Sequence, residues 1–209
     1  MIPVPQVDAL VEQEGDYVVH EVGLRCFCFN DSGQPDPTCN EHQNGGWLYC
    51  ESETIQGLVT GISQNRELVE AGILIPGDCV FSPLSDAVVT EGDKITFTWP
   101  LPYGQGDPLV RSNENKEDTY YKPVRAIYCI DENKAKYREG IDFRFVDKTI
   151  QWLWDGKPLE GIAPAGGIRY TVKYMAFLEW IAYVPPVERI NNGNNLGSKV
   201  ILRKRHLVT

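Results

Sequence analysis

Apolar and polar residues alternate along much of the chain, with the two-residue period of a β-strand. The clearest case is residues 167–174, whose apolar side chains alternate with polar ones: Ile168, Tyr170, Val172 and Tyr174 against Arg169, Thr171 and Lys173. Side chains two positions apart point to the same face of a sheet. This segment is therefore predicted to be a strand with one buried face.

Similar short runs recur between clusters of Gly, Pro and Asn, which are typical of turns. They cover residues 17–24, 54–62, 78–81, 94–99, 124–130, 140–146, 149–154, 177–184 and 198–208. Helical periodicity is nearly absent, and the one candidate is a short helix over residues 65–72. The pattern predicts a mainly β fold, a barrel or a sandwich, rather than a parallel α/β sheet.

The order of these segments divides the chain into four predicted regions. They are an extended N-terminal arm (1–16), a β-barrel part (17–106) with an inserted small zinc-binding module (25–50), a second β-rich part (107–186), and a linker with an extended basic C-terminal arm (187–209). The N-terminal arm is predicted to order only on contact with a partner, because it shows little periodicity. The polar stretch 107–119 is predicted to be a flexible loop.

The chain is acidic, with 20 Lys and Arg residues, 29 Asp and Glu residues and a formal net charge of −9. This balance argues against a general nucleic-acid-binding protein, which would present a basic surface. Four basic residues lie in the last eleven positions: Lys199, Arg203, Lys204 and Arg205. The remaining residues carry −13, so we expect the basic ending to bind an acidic patch on a neighbouring copy. A solvated final strand is the alternative.

The first five residues, Met-Ile-Pro-Val-Pro, lack the basic start and apolar run of a leader peptide. The chain also lacks a stretch of about 18 apolar residues, the length that a membrane-spanning helix needs. We therefore expect no export signal and no membrane contact. In a protein that is not exported, six cysteines in clustered spacing favour a metal site over disulfides.

Four potential metal ligands lie within 17 residues: Cys26, Cys28, Cys39 and His42. They form a Cys-x-Cys pair and a Cys-x-x-His pair, and turn-forming residues at 30–37 let the pairs fold back on each other. Thiolate and imidazole are the ligands of zinc in closed, tetrahedral structural sites. The sequence therefore predicts one structural zinc ion, with Cys50 as an alternative ligand. Cys79 and Cys129 are predicted to be buried in strands.

Catalytic motifs do not accompany the cluster, since nucleophile, phosphate-binding and metalloprotease patterns are all missing from the sequence. Four protein ligands leave no open coordination position, so we expect no enzymatic activity. His20 and His206 are predicted to be structural. Two rival interpretations stay open: a zinc-dependent hydrolase that uses Cys50 or Glu41, and a carbohydrate-binding module in which Trp152 and Trp154 stack on a sugar.

The cluster belongs to a longer pattern. It reads Cys-x-Cys at 26–28, Ser-Gly-Gln-Pro-Asp-Pro at 32–37, Cys-x-x-His at 39–42 and Gly-Gly-Trp at 45–47. This pattern resembles the cysteine module of neck proteins in tailed bacteriophages, although the last ligand in that family is commonly a cysteine rather than His42. The similarity to these neck proteins extends to residues 61–78 and to the basic ending 197–207. Residues 138–143, 150–152 and 167–174 resemble a β-unit that recurs in phage virion proteins.

The resemblance implies a virion structural protein, a subunit of the neck or stopper ring that joins the capsid portal to the tail and surrounds the DNA channel. It implies a homo-oligomeric ring, contacts with portal-side and tail-side virion proteins, and assembly in the host cytoplasm. DNA would pass without sequence-specific binding, and an acidic wall suits this because basic residues drive phosphate binding. A tail-completion or baseplate subunit is the alternative within this class.

Overall fold

The computed structural model describes residues 4–30, 34–42, 46–61, 78–114, 116–152, 162–191 and 194–208. These parts contain helix α1 (Val4–Glu14), fourteen strands and a 3-10 helix over Arg205–Leu207. The strands are β1 (Asp16–Arg25), β2 (Trp47–Gly61), β3 (Cys79–Pro83), β4 (Lys94–Phe97), β5 (Leu101–Val110), β6 (Lys116–Asp118), β7 (Pro123–Asp131), β8 (Lys136–Tyr137), β9 (Phe143–Val146), β10 (Thr149–Trp152), β11 (Arg169–Ala176), β12 (Glu179–Ala182), β13 (Val187–Asn191) and β14 (Asn194–Lys204). The helix predicted for residues 65–72 lies outside the described residues.

The chain forms two compact units, one made of residues 1–98 and 179–209 and the other of residues 99–178. The boundaries predicted after residues 106 and 186 therefore lie after residues 98 and 178. The reason is strand pairing: β5 pairs with β11 of the second unit, whereas β12 pairs with β4 of the first. Within the described residues, no helix has the length and apolar character needed to cross a bilayer.

The first unit is a closed, six-stranded antiparallel barrel, which confirms the predicted fold class. Its strands follow the order β12-β4-β1-β2-β3-β14, and pairing of β12 with β14 closes the ring. Strand β13 extends the sheet by pairing with β14. Closure satisfies the backbone groups that an open sheet would leave unpaired at its edges.

Side chains that alternate along the barrel strands fill its interior. Val18 on β1, Phe97 on β4 and Leu202 on β14 are each at most 3% exposed. The ring of Phe97 meets that of Trp180 on β12 edge-on, with ring centroids 6.3 Å apart. Burial of such apolar side chains stabilises each by about 1.5–3 kcal/mol relative to exposure.

The second unit consists of a four-stranded sheet, β5-β11-β7-β8, and a three-stranded sheet, β6-β10-β9. The alternation predicted for residues 167–174 is confirmed in β11, where Tyr170, Val172 and Tyr174 are at most 2% exposed while Arg169 and Lys173 are exposed. The runs predicted at 140–146 and 149–154 contain β9 and β10, which form a hairpin with Asp147 and Lys148 at its turn. Aromatic rings dominate the core of this unit: Tyr103, Tyr121, Phe143, Trp152, Tyr170 and Tyr174.

The N-terminal segment is a helix and not the predicted extended arm. Helix α1 is held to the first unit by the Asp8 carboxylate, which accepts hydrogen bonds from the N–H and the hydroxyl of Ser85. Val11 is 2% exposed, and the Gln56 side-chain amide donates to the carbonyl of Glu12 at the end of the helix. Its apolar stripe, at positions 4, 7 and 11, is too short to stand out in the sequence.

The C-terminal segment is a barrel strand and not the predicted extended arm. Strand β14 lies between β3 and β12 and pairs with both. Two basic residues of the segment are used within the chain: Arg203 on β14 forms a buried ion pair with Asp78, and Arg205 in the 3-10 helix pairs with Glu179. Removal of residues 197–209 is therefore expected to open the barrel.

The stretch 107–119 was predicted to be a loop because it is polar, but most of it lies in strands β5 and β6. Asp107 is 1% exposed, and its Oδ2 atom accepts hydrogen bonds from the Tyr174 hydroxyl and the Tyr120 N–H. Glu117 is 9% exposed and accepts hydrogen bonds from Trp152 and other groups. The stretch is polar because it supplies buried carboxylates that accept hydrogen bonds within the protein, and not because it lies in water.

Candidate metal centre

The four predicted ligands lie on the connection between β1 and β2, an antiparallel pair whose last matched residues are Arg25 and Trp47. Cys26 follows β1 directly, and its N–H donates to the carbonyl of Gly46 at the start of β2 (2.8 Å). The hairpin thus brings the two ends of the connection together. The Cys-x-Cys pair lies at one end of this loop, and the Cys-x-x-His pair follows within it.

The structure brings Cys26, Cys28, Cys39 and His42 together, with all four ligand atoms within 4.8 Å of one another. The sulfurs of Cys26 and Cys39 are 3.8 Å apart, and the sulfur of Cys28 lies 3.1 Å from Nε2 of His42. In a tetrahedral zinc site with ordinary Zn–S and Zn–N bond lengths, two sulfur ligands are about 3.8 Å apart, and a sulfur and a nitrogen ligand are about 3.5 Å apart. The cluster could therefore hold a metal ion after side-chain shifts of about 1 Å or less.

A disulfide does not explain this arrangement, because bonded sulfurs lie about 2.05 Å apart. All six cysteines are free thiols, and Cys26 and Cys39 are in contact without a bond. Four ligand atoms that converge on one point, with no covalent link between them, are the arrangement expected of a closed metal site.

Backbone amides point at the cysteine sulfurs. The N–H of Cys28 donates to Cys26 and lowers the pKa of that thiol. Burial raises the pKa of Cys28 to about 11, and the N–H of Asp36 acts in the opposite direction. Amide donors of this kind stabilise thiolates, the form in which cysteine binds a metal.

Gly46 fits the loop because a side chain there would collide with its neighbours. Its φ is +75°, and a Cβ atom would lie 2.4 Å from the ring of Phe29. The Arg25 guanidinium lies 5.6 Å from the Phe29 ring centroid and 5.9 Å from that of Trp47. Trp47 in turn packs on Gly92, where a Cβ would be 2.3 Å from the indole ring. These contacts anchor the loop to the barrel.

His42 directs Nε2 into the cluster, while its Nδ1 atom is buried and has no hydrogen-bond partner in the described part of the chain. Asp36 lies close enough for His42 to contribute to the lowering of the Asp36 pKa, although hydrogen bonds from Thr38 are the larger cause. A metal ion bound through Nε2 would leave the ring proton on Nδ1.

The other cysteines lie elsewhere. Cys50 is exposed on β2, where its thiol approaches the Val22 carbonyl at 3.8 Å, and it is not part of the cluster. Cys79 and Cys129 are buried in strands, as predicted. Glu41 is exposed and is not part of the cluster.

Trp152, one of the two tryptophans proposed to stack on a sugar, is only 3% exposed and donates its indole N–H to Glu117. It packs edge-on against Tyr170, with ring centroids 5.1 Å apart. This ring belongs to the core and offers no face to a ligand. Trp154 lies outside the described residues.

Comparison of the chain with protein-family models and with curated proteins finds no match. The site is therefore characterised by its ligand types, their spacing and their geometry in this structure. Those observations support a metal-binding cluster at the end of the β1–β2 hairpin.

Proposed function

We propose that Cys26, Cys28, Cys39 and His42 hold one structural zinc ion. Three sulfur ligands and one imidazole suit zinc better than calcium or magnesium, which prefer oxygen ligands. Four protein ligands complete the coordination shell, so the ion would fix the β1–β2 connection and would not activate a water molecule. This closed ligand set is the observation that carries the proposal of a non-enzymatic protein.

We further propose that the chain is a tailed-phage virion protein, a subunit of the connector ring between head and tail. The proposal draws on the resemblance of the module at 26–47 and of the basic ending to phage neck proteins. The barrel that carries the module and the net charge of −9 are compatible with it, because an acidic channel wall does not retain DNA.

Composition of purified particles tests this function. Mass spectrometry of virions made by a phage that encodes the chain should detect the protein at a stoichiometry of several copies per particle. Disruption of its gene should leave filled heads and tails that fail to join, as seen by negative-stain microscopy. Complete, infectious particles without the protein would disprove the connector assignment.

Metal content is a separate test. Elemental analysis of the purified chain should find about one zinc ion per molecule. A protein that contains no metal and whose unfolding transition does not move on chelation would disprove the zinc site, whatever its place in a virion.

A further inference from the structure

The outer face of the four-stranded sheet in the second unit is basic. Alternation along β11 buries Tyr170, Val172 and Tyr174 and directs Arg169 and Lys173 to the opposite face. Strand register places further cations on this face, since Arg125 is opposite Met175 and Lys136 is opposite Ile130. We call the set Arg125, Lys136, Arg169 and Lys173 the basic face.

These four cations form no ion pair with the described residues, and all four are exposed. Two carboxylates lie at the margin of the basic face. Glu132 follows β7 next to Arg169, and Glu139 accepts a hydrogen bond from the N–H of Ala126. The four cations outnumber these two carboxylates, so an acidic partner would lower the electrostatic energy of the sheet face.

Apolar and aromatic side chains lie between the charges. Val110 is 55% exposed and Tyr128 is 42% exposed, with the ammonium of Lys136 5.7 Å from the Tyr128 ring centroid. A shallow groove of about 540 Å³ runs along Pro108, Val110, Ile130 and Arg169. Arg, Tyr and Met side chains around an apolar centre are the composition of protein interfaces rather than of ordinary surface.

Charge is unevenly divided between the two units. Residues 1–98 and 179–209 contain 18 acidic and 8 basic residues, a net charge of −10, whereas residues 99–178 contain 11 acidic and 12 basic residues, a net charge of +1. Exposed carboxylates of the first unit include Glu12 and Glu14 of α1 and Glu51 of β2. One copy of the chain thus carries both halves of a complementary pair.

We propose that the basic face of one copy docks onto the acidic first unit of the next copy. The two surfaces differ, so the contact is head-to-tail, and a head-to-tail contact repeated through a closing rotation generates a ring. The inference rests on the proposed connector ring and assigns the surface that builds it. The surface that binds a neighbouring copy would then lie on the second unit and not, as the sequence suggested, on the basic ending.

Self-association of the full-length, metal-loaded chain tests the inference. The double variant Arg125→Glu with Lys173→Glu reverses two charges of the basic face. The matched control, Lys122→Glu with Arg144→Glu, makes the same change of charge at exposed positions of this unit outside the basic face. Unfolding transitions close to that of wild type would show that both variants fold.

Mass photometry should show wild-type oligomers that dissociate as salt rises from about 0.05 M to about 0.5 M, because ions screen the contact. The double variant should associate at least about tenfold more weakly, and the control should behave as wild type. Rings that form equally in the double variant would overturn this inference and leave the connector proposal intact.

Two other outcomes would also overturn it. A wild-type chain that is monomeric at every salt concentration would contradict both the proposed contact and the proposed ring. Binding of labelled DNA to the basic face, lost in the double variant and accompanied by no self-association, would identify nucleic acid as the occupant. Absence of the protein from virions, measured separately, would contradict the connector function without deciding this contact.

Discussion

His20 lies inside the barrel between two carboxylates. Its Nε2 atom is 2.9 Å from Asp93 and its Nδ1 atom is 3.0 Å from Glu53, and the residue is 2% exposed. The hydrogen bond to Asp93 raises the pKa of His20 above its ordinary value, against the effect of burial. Asp93 also accepts hydrogen bonds from the N–H groups of Gly23 and Thr90. The imidazolium form thus joins three segments of the first unit.

This pairing predicts a pH-dependent stability. Because the pKa of His20 is raised in the folded state, its contribution to the free energy of unfolding is complete below the pKa of the unfolded state, about 6.5. That contribution is lost as the pH rises through the pKa of the folded state. His20→Gln should cost about 2 kcal/mol at pH 5.5 and less at pH 8.5. Urea unfolding of both proteins at the two pH values measures this, and a cost that grows with pH would contradict the charged histidine.

The proposed zinc ligands give a second prediction for single residues. Cys39→Ser should remove zinc from the purified protein and lower the unfolding temperature, because metal binding contributes directly to folding free energy. Cys50→Ser is the matched control, since Cys50 is exposed and lies outside the cluster. Zinc content and thermal unfolding are the measurements. Equal zinc content in both variants would show that the ion is bound elsewhere.

Strand β14 is the element on which barrel closure depends, since it pairs with β3 and with β12. Val200 on this strand is 0% exposed, so Val200→Asp would bury an unpaired charge and should cost several kcal/mol. Lys199→Asp, one residue earlier and exposed, should cost less than about 0.5 kcal/mol. Denaturant titration would decide, and similar losses for both would contradict this account of β14.

Elements differ in how far the sequence predicts them. Strand β11 was predicted because Tyr170 and Val172 alternate with charged residues, and the ligand cluster because spacing alone brings Cys26 and Cys28 together. Strand β6 was missed because the carboxylate of Glu117 looks solvent-exposed until its partners are known. The pairing of β12 with β14, which closes the barrel, depends on tertiary contacts that a local pattern does not contain.

At the scale of the whole molecule, the second unit is an insertion between two paired strands of the barrel. Glu179 of β12 is the register partner of Thr96 of β4, although 82 residues lie between them in the sequence. Joining Thr98 to Glu179 through Asn-Gly leaves a four-residue loop between the register partners Thr96 and Glu179, which should give a hairpin and a folded, zinc-binding barrel. Circular dichroism and zinc content test this, and an unfolded product would show that the barrel needs the insertion.

The same topology has a consequence for synthesis on the ribosome. Strands β1 to β4 emerge first and form at most an open sheet with β3 and β4 at its edges, because β12 and β14 are made only after residues 99–178. Residues 99–178 are contiguous and can fold before release. The nascent protein therefore carries a folded unit beside an incomplete barrel with two unpaired edges, which makes translation the stage at which aggregation is most expected.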